Sequence, residues 1–221
     1  MKLHNLAWGL YPRRVTIYLA EKDIHHVELL DLDAVGQAWP PAHLRKLSPS
    51  GTAPILEVGD GTVIRQSVAI LEYLEERFPE PNLLGRTLAE RAATRELMGV
   101  VDEASTYFGL WCHKGSPLFA GREPQSREAA AIAAEAYFAK LRLLDTLADE
   151  APFLLGERPT LADCMAMALL QFAKGLYGVA LPADCPKLVG WYERFSQRPS
   201  ARVAEYPPEI LRLAYGLKAG A

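Results

Sequence analysis

Apolar positions along the first third of the chain alternate between short strand-like runs and helical spacing. Lys2 to Trp8 mixes apolar and polar residues over a length that predicts a strand, and Gly9 breaks it. Pro12 suits the first turn of a helix, where its missing N–H costs nothing. That helix is expected to run to about Lys22, with Val15, Tyr18 and Leu19 on its inner face. Val27 to Leu32 reads as a second strand. Between Gly36 and Ser50, Pro40, Pro41 and Pro49 allow at most a short helix. Ile55–Val58 and Thr62–Ile64 read as two short strands, and Gly59-Asp60-Gly61 between them is a hairpin turn. A helix then opens at Ser67 and continues to about Phe78, with Val68, Leu71, Tyr73 and Leu74 apolar.

This order, a βαβ unit followed by ββα, is the thioredoxin-like arrangement and makes residues 1–78 a complete small α/β domain. Pro79-Glu80-Pro81-Asn82 stops the helix and stiffens a linker over residues 79–86. Beyond it no strand pattern recurs. Thr87 to about Lys114 is one long helical pattern, and Ser126 to about Asp149 is another, with Tyr137, Phe138, Leu141 and Leu144 inward. Thr160 to about Tyr177 is apolar nearly all round, which predicts a buried central helix. Leu188–Gln197 and Pro207–Leu217 are shorter. Residues 87–221 therefore read as an all-α helical domain. Thr160-x-x-Asp163 has the spacing of a capping box, a folding device and no reaction centre.

Composition narrows the function. The net charge of −3 offers no basic excess for nucleic acid and no polybasic run for a membrane surface. The least polar stretch, Cys164 to Ala173, is about half the length of a membrane span. Met1 to Arg14 lacks the pattern of a signal peptide, so a cytoplasmic protein is expected. Cys112, Cys164 and Cys185 are widely spaced and odd in number, which fits neither a disulfide framework nor a metal site. Their plainer role is as small buried hydrophobes.

Several segments resemble the cytosolic glutathione S-transferase family. Arg13-Arg14-Val15-Thr16-Ile17-Tyr18-Leu19-Ala20-Glu21-Lys22 is similar to the family's first helix, and Gly51-Thr52-Ala53-Pro54-Ile55-Leu56 to its cis-proline loop. Gln66-Ser67 with Ile70 and Tyr73-Leu74 resembles its γ-glutamyl-binding turn and helix. Leu155-Gly156 through Asp163, and Trp191 with Arg198-Pro199-Ser200, resemble its helical-domain signatures. The resemblance implies a homodimeric detoxification transferase with glutathione as cosubstrate, no metal, and a small hydrophobic electrophile as second substrate.

Carried over residue by residue, it implies that Ala53, before a cis Pro54, pairs its main chain with the cysteinyl backbone of glutathione. Ser67 then receives the γ-glutamyl carboxylate and Gln66 its ammonium. The plainer alternatives are a trans proline entering a strand and a serine that only caps its own helix. The thiol-activating position departs from the family. In Ala7-Trp8-Gly9-Leu10-Tyr11-Pro12, the usual Ser or Cys falls on Gly9, and the usual Tyr falls on Ala7 or Trp8. A redox role that depends on a cysteine there is not expected. Tyr11 is the one hydroxyl in the window and is the candidate catalytic residue; backbone N–H groups with Arg13 or Arg14, or no activation at all, stay open beside it. The family's His–Lys pair for the glycyl carboxylate would fall near Trp39 and Pro40, which cannot serve, leaving His43, Arg45 or Lys46. Asp102 is either a reach toward the partner subunit's glutathione or a solvated helical face.

Trp8, Tyr107, Phe108 and Trp111 are candidates to wall the second-substrate pocket, although an aromatic stripe on a helix is also what a core requires. The expected function is thiol activation for attack on an electrophile. The alternative is a catalytically weak glutathione-binding or regulatory protein on the same fold.

Overall fold

Strands β1 (Lys2–Asn5), β2 (Glu28–Asp31), β3 (Ile55–Glu57) and β4 (Val63–Arg65) form one sheet in the order β2-β1-β3-β4. The first pair is parallel and the other two are antiparallel. The structure, a computed structural model, describes residues 1–33, 40–202 and 205–218. Gly36 and Trp39, which figured in the expectations above, lie outside the described residues.

Helix α1 (Leu10–Glu21) makes the crossover from β1 to β2, α2 (Ala42–Leu47) follows the second strand, and α3 (Ser67–Arg77) closes the unit. β1 stops at Asn5, three residues short of the expected Trp8. The Gly9 N–H turns back onto the Leu6 carbonyl at 2.8 Å, and the helix begins at once. Pro12 thus stands third in α1, still among the first four positions whose N–H groups have no helical partner.

The remaining chain is helical. The long helices α4 (Leu88–Gly115) and α5 (Arg127–Leu147) pack as neighbours, and α6 (Leu161–Tyr177) is buried over almost its whole length. Helices α7 (Pro186–Phe195) and α8 (Pro208–Ala214) complete it, with single 3₁₀ turns at Pro117–Phe119 and Pro199–Ala201. Among the described residues, no helix is long and apolar enough to cross a membrane.

The Thr160–Asp163 capping box forms as the spacing predicts. Asp163 does more than cap. It also accepts from the Leu154 N–H at 3.0 Å and from the Trp191 indole N–H at 2.7 Å, so one buried carboxylate ties the preceding loop and α7 to the start of α6. The two halves are held together by further buried polar groups. α1 packs on both α3 and α6. Glu75 of α3 accepts from Tyr18 (3.0 Å), from the Lys22 ammonium (2.8 Å) and from the linker N–H groups of Leu83 (2.6 Å) and Leu84 (3.2 Å). Every polar atom in that cluster has a partner, which is what allows an ion pair to stay buried. Arg198 grips Glu21 with two bonds of 2.8 and 2.7 Å, fixing the C-terminal segment to the end of α1.

Candidate functional site

Two helix N-termini meet at the C-terminal edge of β1. The first belongs to α1. Its N-cap is Gly9, with no side-chain cap, and its first main-chain bond to accept back into the helix runs from Arg13 N to Gly9 O. The N–H groups of Leu10 and Tyr11 therefore have no partner among the described residues. A Cβ at residue 9 would lie 3.1 Å from Leu6 Cδ2 and 3.2 Å from the Leu6 carbonyl oxygen, so the tight turn itself favours glycine where the family resemblance expects Ser or Cys.

The second N-terminus belongs to α3. Gln66 precedes it at φ +71°, a left-handed conformation that strains a residue with a side chain and that clusters at functional sites. No side chain caps the helix, and the first bond back is Ile70 N to Gln66 O. Among the described residues the N–H groups of Ser67, Val68 and Ala69 have no partner, and they stand at the positive end of the helix dipole. The plainer expectation for Ser67, a hydroxyl spent on its own helix, is thus not what the structure holds.

Arg14 joins the two. Its side chain is fully buried. It donates to Ser67 Oγ (3.2 Å), to Asp102 Oδ1 (2.6 Å) and to Ser105 Oγ (2.6 Å), and its guanidinium stands 4.7 Å from the centre of the Tyr11 ring. Its Nε is buried without a partner among the described residues. With Arg14 on one lone pair, the Ser67 hydroxyl keeps its hydrogen for something else. Arg13 points the other way, to Gln171 and to the main-chain oxygens of Ser200 and Arg202, so only Arg14 stays at the site. Asp102 is engaged by Arg14 within the same protomer.

Beside this junction lies a cleft of about 300 Å³, between the α1 start, the Thr52–Ala53 loop and the 105–113 face of α4. The Ala53–Pro54 peptide is cis, as is Glu80–Pro81 in the linker. The Ala53 main chain has no hydrogen-bond partner among the described residues. Tyr11 lines the cleft, 38% exposed, and its hydroxyl is likewise unpartnered among the described residues. Burial pushes the Tyr11 phenol above its ordinary range; Arg14 opposes this and Asp102 adds to it. It therefore keeps its proton and is a donor at neutral pH. A larger cavity of about 650 Å³ lies elsewhere, between the linker and the 157–160 turn, and none of Tyr11, Arg14, Ala53, Gln66 and Ser67 lines it.

Trp8 and Phe108 line the cleft, but Tyr107 and Trp111 do not. Trp111 is a core residue: its ring packs on Phe108, Tyr137 and Phe138, and its N–H bonds to the Lys218 carbonyl. Tyr107 packs partly buried against the same core. The helical period explains the split, since residues 107 and 111 face away from the 105–109–113 face. His43, Arg45 and Lys46 sit on α2, and none lines the cleft.

Several lining residues were not named as site candidates from sequence: Ser105, Gly109, Cys112 (read there as a buried hydrophobe), His113, Phe119, Phe172 and Tyr177. Four of these fall at 105, 109, 112 and 113, a helical-face spacing that was readable once α4 was known to face the site. His113 is held by Glu123 at 2.8 Å and stacked on Phe119 at 3.9 Å. Cys112 shares a hydrogen bond with Tyr177, and burial pushes its thiol far up, so it is no thiolate.

Comparison with known proteins bears on the family and the fold. The pattern of the glutathione S-transferase N-terminal domain matches residues 8–77, and that of the C-terminal domain matches residues 124–194. Glutathione S-transferase 2 of Saccharomyces cerevisiae is 31% identical over 214 residues, covering 91% of this chain and 88% of that protein. The crystal structure of Gtt2 from the same yeast superposes with a TM-score of 0.82 at 28% identity, covering 91% of this chain and 99% of the other. FtsZ-localized protein A of Caulobacter vibrioides is 30% identical over 214 residues, covering 90% of this chain and 88% of that protein. With its four-stranded mixed sheet, its helical second half and these matches, the chain belongs to the glutathione S-transferase family.

Proposed function

We propose that the chain binds glutathione along the rim of the cleft and activates its thiol for attack on a hydrophobic electrophile. The observation that carries this reading is the α3 N-terminus, where open N–H groups, a free Ser67 hydroxyl hydrogen and the buried Arg14 charge converge. A carboxylate is the ligand such a point selects. In this reading the γ-glutamyl carboxylate accepts from Ser67 Oγ and the α3 N–H groups, and the Gln66 side-chain carbonyl accepts from the γ-glutamyl ammonium. Ala53, ahead of Pro54, offers its N–H and C=O to the cysteinyl main chain, like one more strand.

The cysteinyl sulfur then lies toward Tyr11 and the free N–H groups of α1. A thiol ordinarily ionises near about pH 8.5. A phenol donor held protonated and the positive end of a helix both favour the thiolate. The thiol proton leaves to solvent, the sulfur forms a bond to the electrophilic carbon, and the leaving group departs with the electron pair. Trp8 and Phe108 supply apolar walls for the second substrate.

One observation favours a second reading, in which the protein binds glutathione without efficient turnover: Gly9 stands where a Ser or Cys would touch the sulfur. Calorimetric titration with glutathione, followed by turnover of chlorodinitrobenzene, separates the two. Binding with turnover is expected. Binding without turnover of this or any related electrophile supports the second reading, and absence of binding refutes both.

A further inference from the structure

The cavity of about 650 Å³ lies where the linker, the first turns of α4 and the 149–160 segment meet, away from the cleft. Its walls are held by bonds already made. Glu90 accepts from the N–H groups of Arg86 (2.6 Å) and Thr87 (3.1 Å), Asn82 accepts from Gly85 N (2.6 Å), and Leu161 N donates to Leu83 O (2.9 Å). The cavity is therefore preformed, and its size falls in the roughly 300–1,000 Å³ range of small-molecule sites. The α4 N-terminus is no part of its attraction, because the capping box closes it. Thr94 stands in the wall, 1% exposed, and its hydroxyl has no hydrogen-bond partner among the described residues. It is not sealed in: among the described residues, the buried orphans without solvent access are His4 Nδ1, Asn5 Oδ1 and Arg14 Nε. The little surface that Thr94 exposes therefore includes its hydroxyl, which opens on the cavity. A hydroxyl this deep ordinarily has a partner, so this one is aimed at an occupant.

We infer that this cavity is a second ligand site, separate from the glutathione cleft, and that it takes a basic α-amino acid. The charged groups around it decide the class. Arg86 is already bonded to Glu80 at 3.2 Å, and Glu90 is spent on the capping box. Arg158, Glu157 and Asp149 line the cavity, and their side chains make no hydrogen bond or ion pair among the described residues. One uncommitted guanidinium selects a carboxylate, which it can grip with two parallel bonds. Two uncommitted carboxylates select ammonium or guanidinium groups. The rim as a whole, two arginines against three acids, is one charge negative. A ligand with one carboxylate and two cationic groups answers both the local groups and the net charge. Ala89, Ala93, Leu155 and Pro159 supply apolar wall for the aliphatic stem between its charged ends.

The test is calorimetry on the full chain with three probes: lysine, norleucine, which lacks the second cation, and cadaverine, which lacks the carboxylate. Lysine is expected to bind about ten-fold more tightly than either of the others. Thr94→Val and Arg158→Gln should each weaken lysine binding by about ten-fold. Thr94→Val should not lower Tm, since the hydroxyl it removes has no partner in the free protein, so a fall in affinity there is not a fall in folding. Ser67→Ala, in the proposed glutathione site, should bind lysine as the parent does. No heat with lysine up to about 10 mM overturns the inference. So does lysine binding that survives both Thr94→Val and Arg158→Gln, or that disappears in Ser67→Ala, which would move the ligand to the glutathione cleft. Norleucine or cadaverine binding as tightly as lysine overturns the assignment to a basic amino acid.

Discussion

Replacing Ser67 by alanine separates ligand binding from folding. The Ser67 hydroxyl accepts from Arg14 Nη1 at 3.2 Å and caps nothing, because α3 has no side-chain cap. Arg14 Nη1 keeps its shorter bond to Asp102 at 2.6 Å and Nη2 keeps Ser105, so the buried cation is not stranded when Ser67 is truncated. The cost to folding should be one neutral-acceptor bond, about 1 kcal/mol. The cost to binding is a bond to a charged carboxylate, about 1.5–3 kcal/mol. Glutathione affinity should therefore fall by about ten-fold to a hundred-fold. Calorimetry measures the affinity, and urea unfolding with an unchanged m-value confirms that the fold is intact. An unchanged dissociation constant in a normally folded variant refutes the placement of the γ-glutamyl group.

Tyr11→Phe should raise the pKa of bound glutathione by about one to two units, since a donor to a charged sulfur supplies about 1.5–3 kcal/mol; ultraviolet titration of the bound thiolate reads this directly, and superimposable curves remove Tyr11 from the chemistry. Because the Tyr11 pKa is raised, its protonated form persists as pH rises, so activity should climb as the glutathione thiol ionises and show no descending limb below about pH 10. Asp163→Ala strands the buried N–H groups of Leu154 and Trp191 and should cost about 3–5 kcal/mol in urea unfolding; a loss under about 1 kcal/mol contradicts its role as the tie between α6 and α7. Sedimentation at micromolar concentration should give a homodimer, twice the 24.4 kDa chain mass, and a stable single chain refutes that expectation.

The architecture was legible because each local signal agreed with its neighbours. Gly59-Asp60-Gly61 between two apolar runs, the paired prolines after Phe78, and the Thr160–Asp163 spacing each fix an element boundary by chemistry that acts within a few residues. The site was less legible, because its organising group is non-local. Arg14 reaches α3 and α4, 53 to 91 residues away in sequence, and nothing adjacent to it in the chain distinguishes it from Arg13. One position along α1 sends Arg13 to Gln171 and Arg14 into the site. The aromatic stripe on α4 was ambiguous for the same reason. Tyr107, Phe108 and Trp111 are close in sequence, but which of them borders a cleft depends on how α4 sits against α1. Gly9 was visible as a departure from the family; that Leu6 crowds any side chain at that position was not.

A crystal structure of the chain with glutathione bound tests the central claim most directly. The account predicts the γ-glutamyl carboxylate within hydrogen-bond reach of Ser67 Oγ and the first N–H groups of α3. It predicts the cysteinyl main chain beside Ala53, and the sulfur at the mouth of the cleft facing Tyr11 and the α1 N-terminus. A carboxylate bound away from Ser67, or a sulfur turned away from both Tyr11 and the α1 N–H groups, would contradict it.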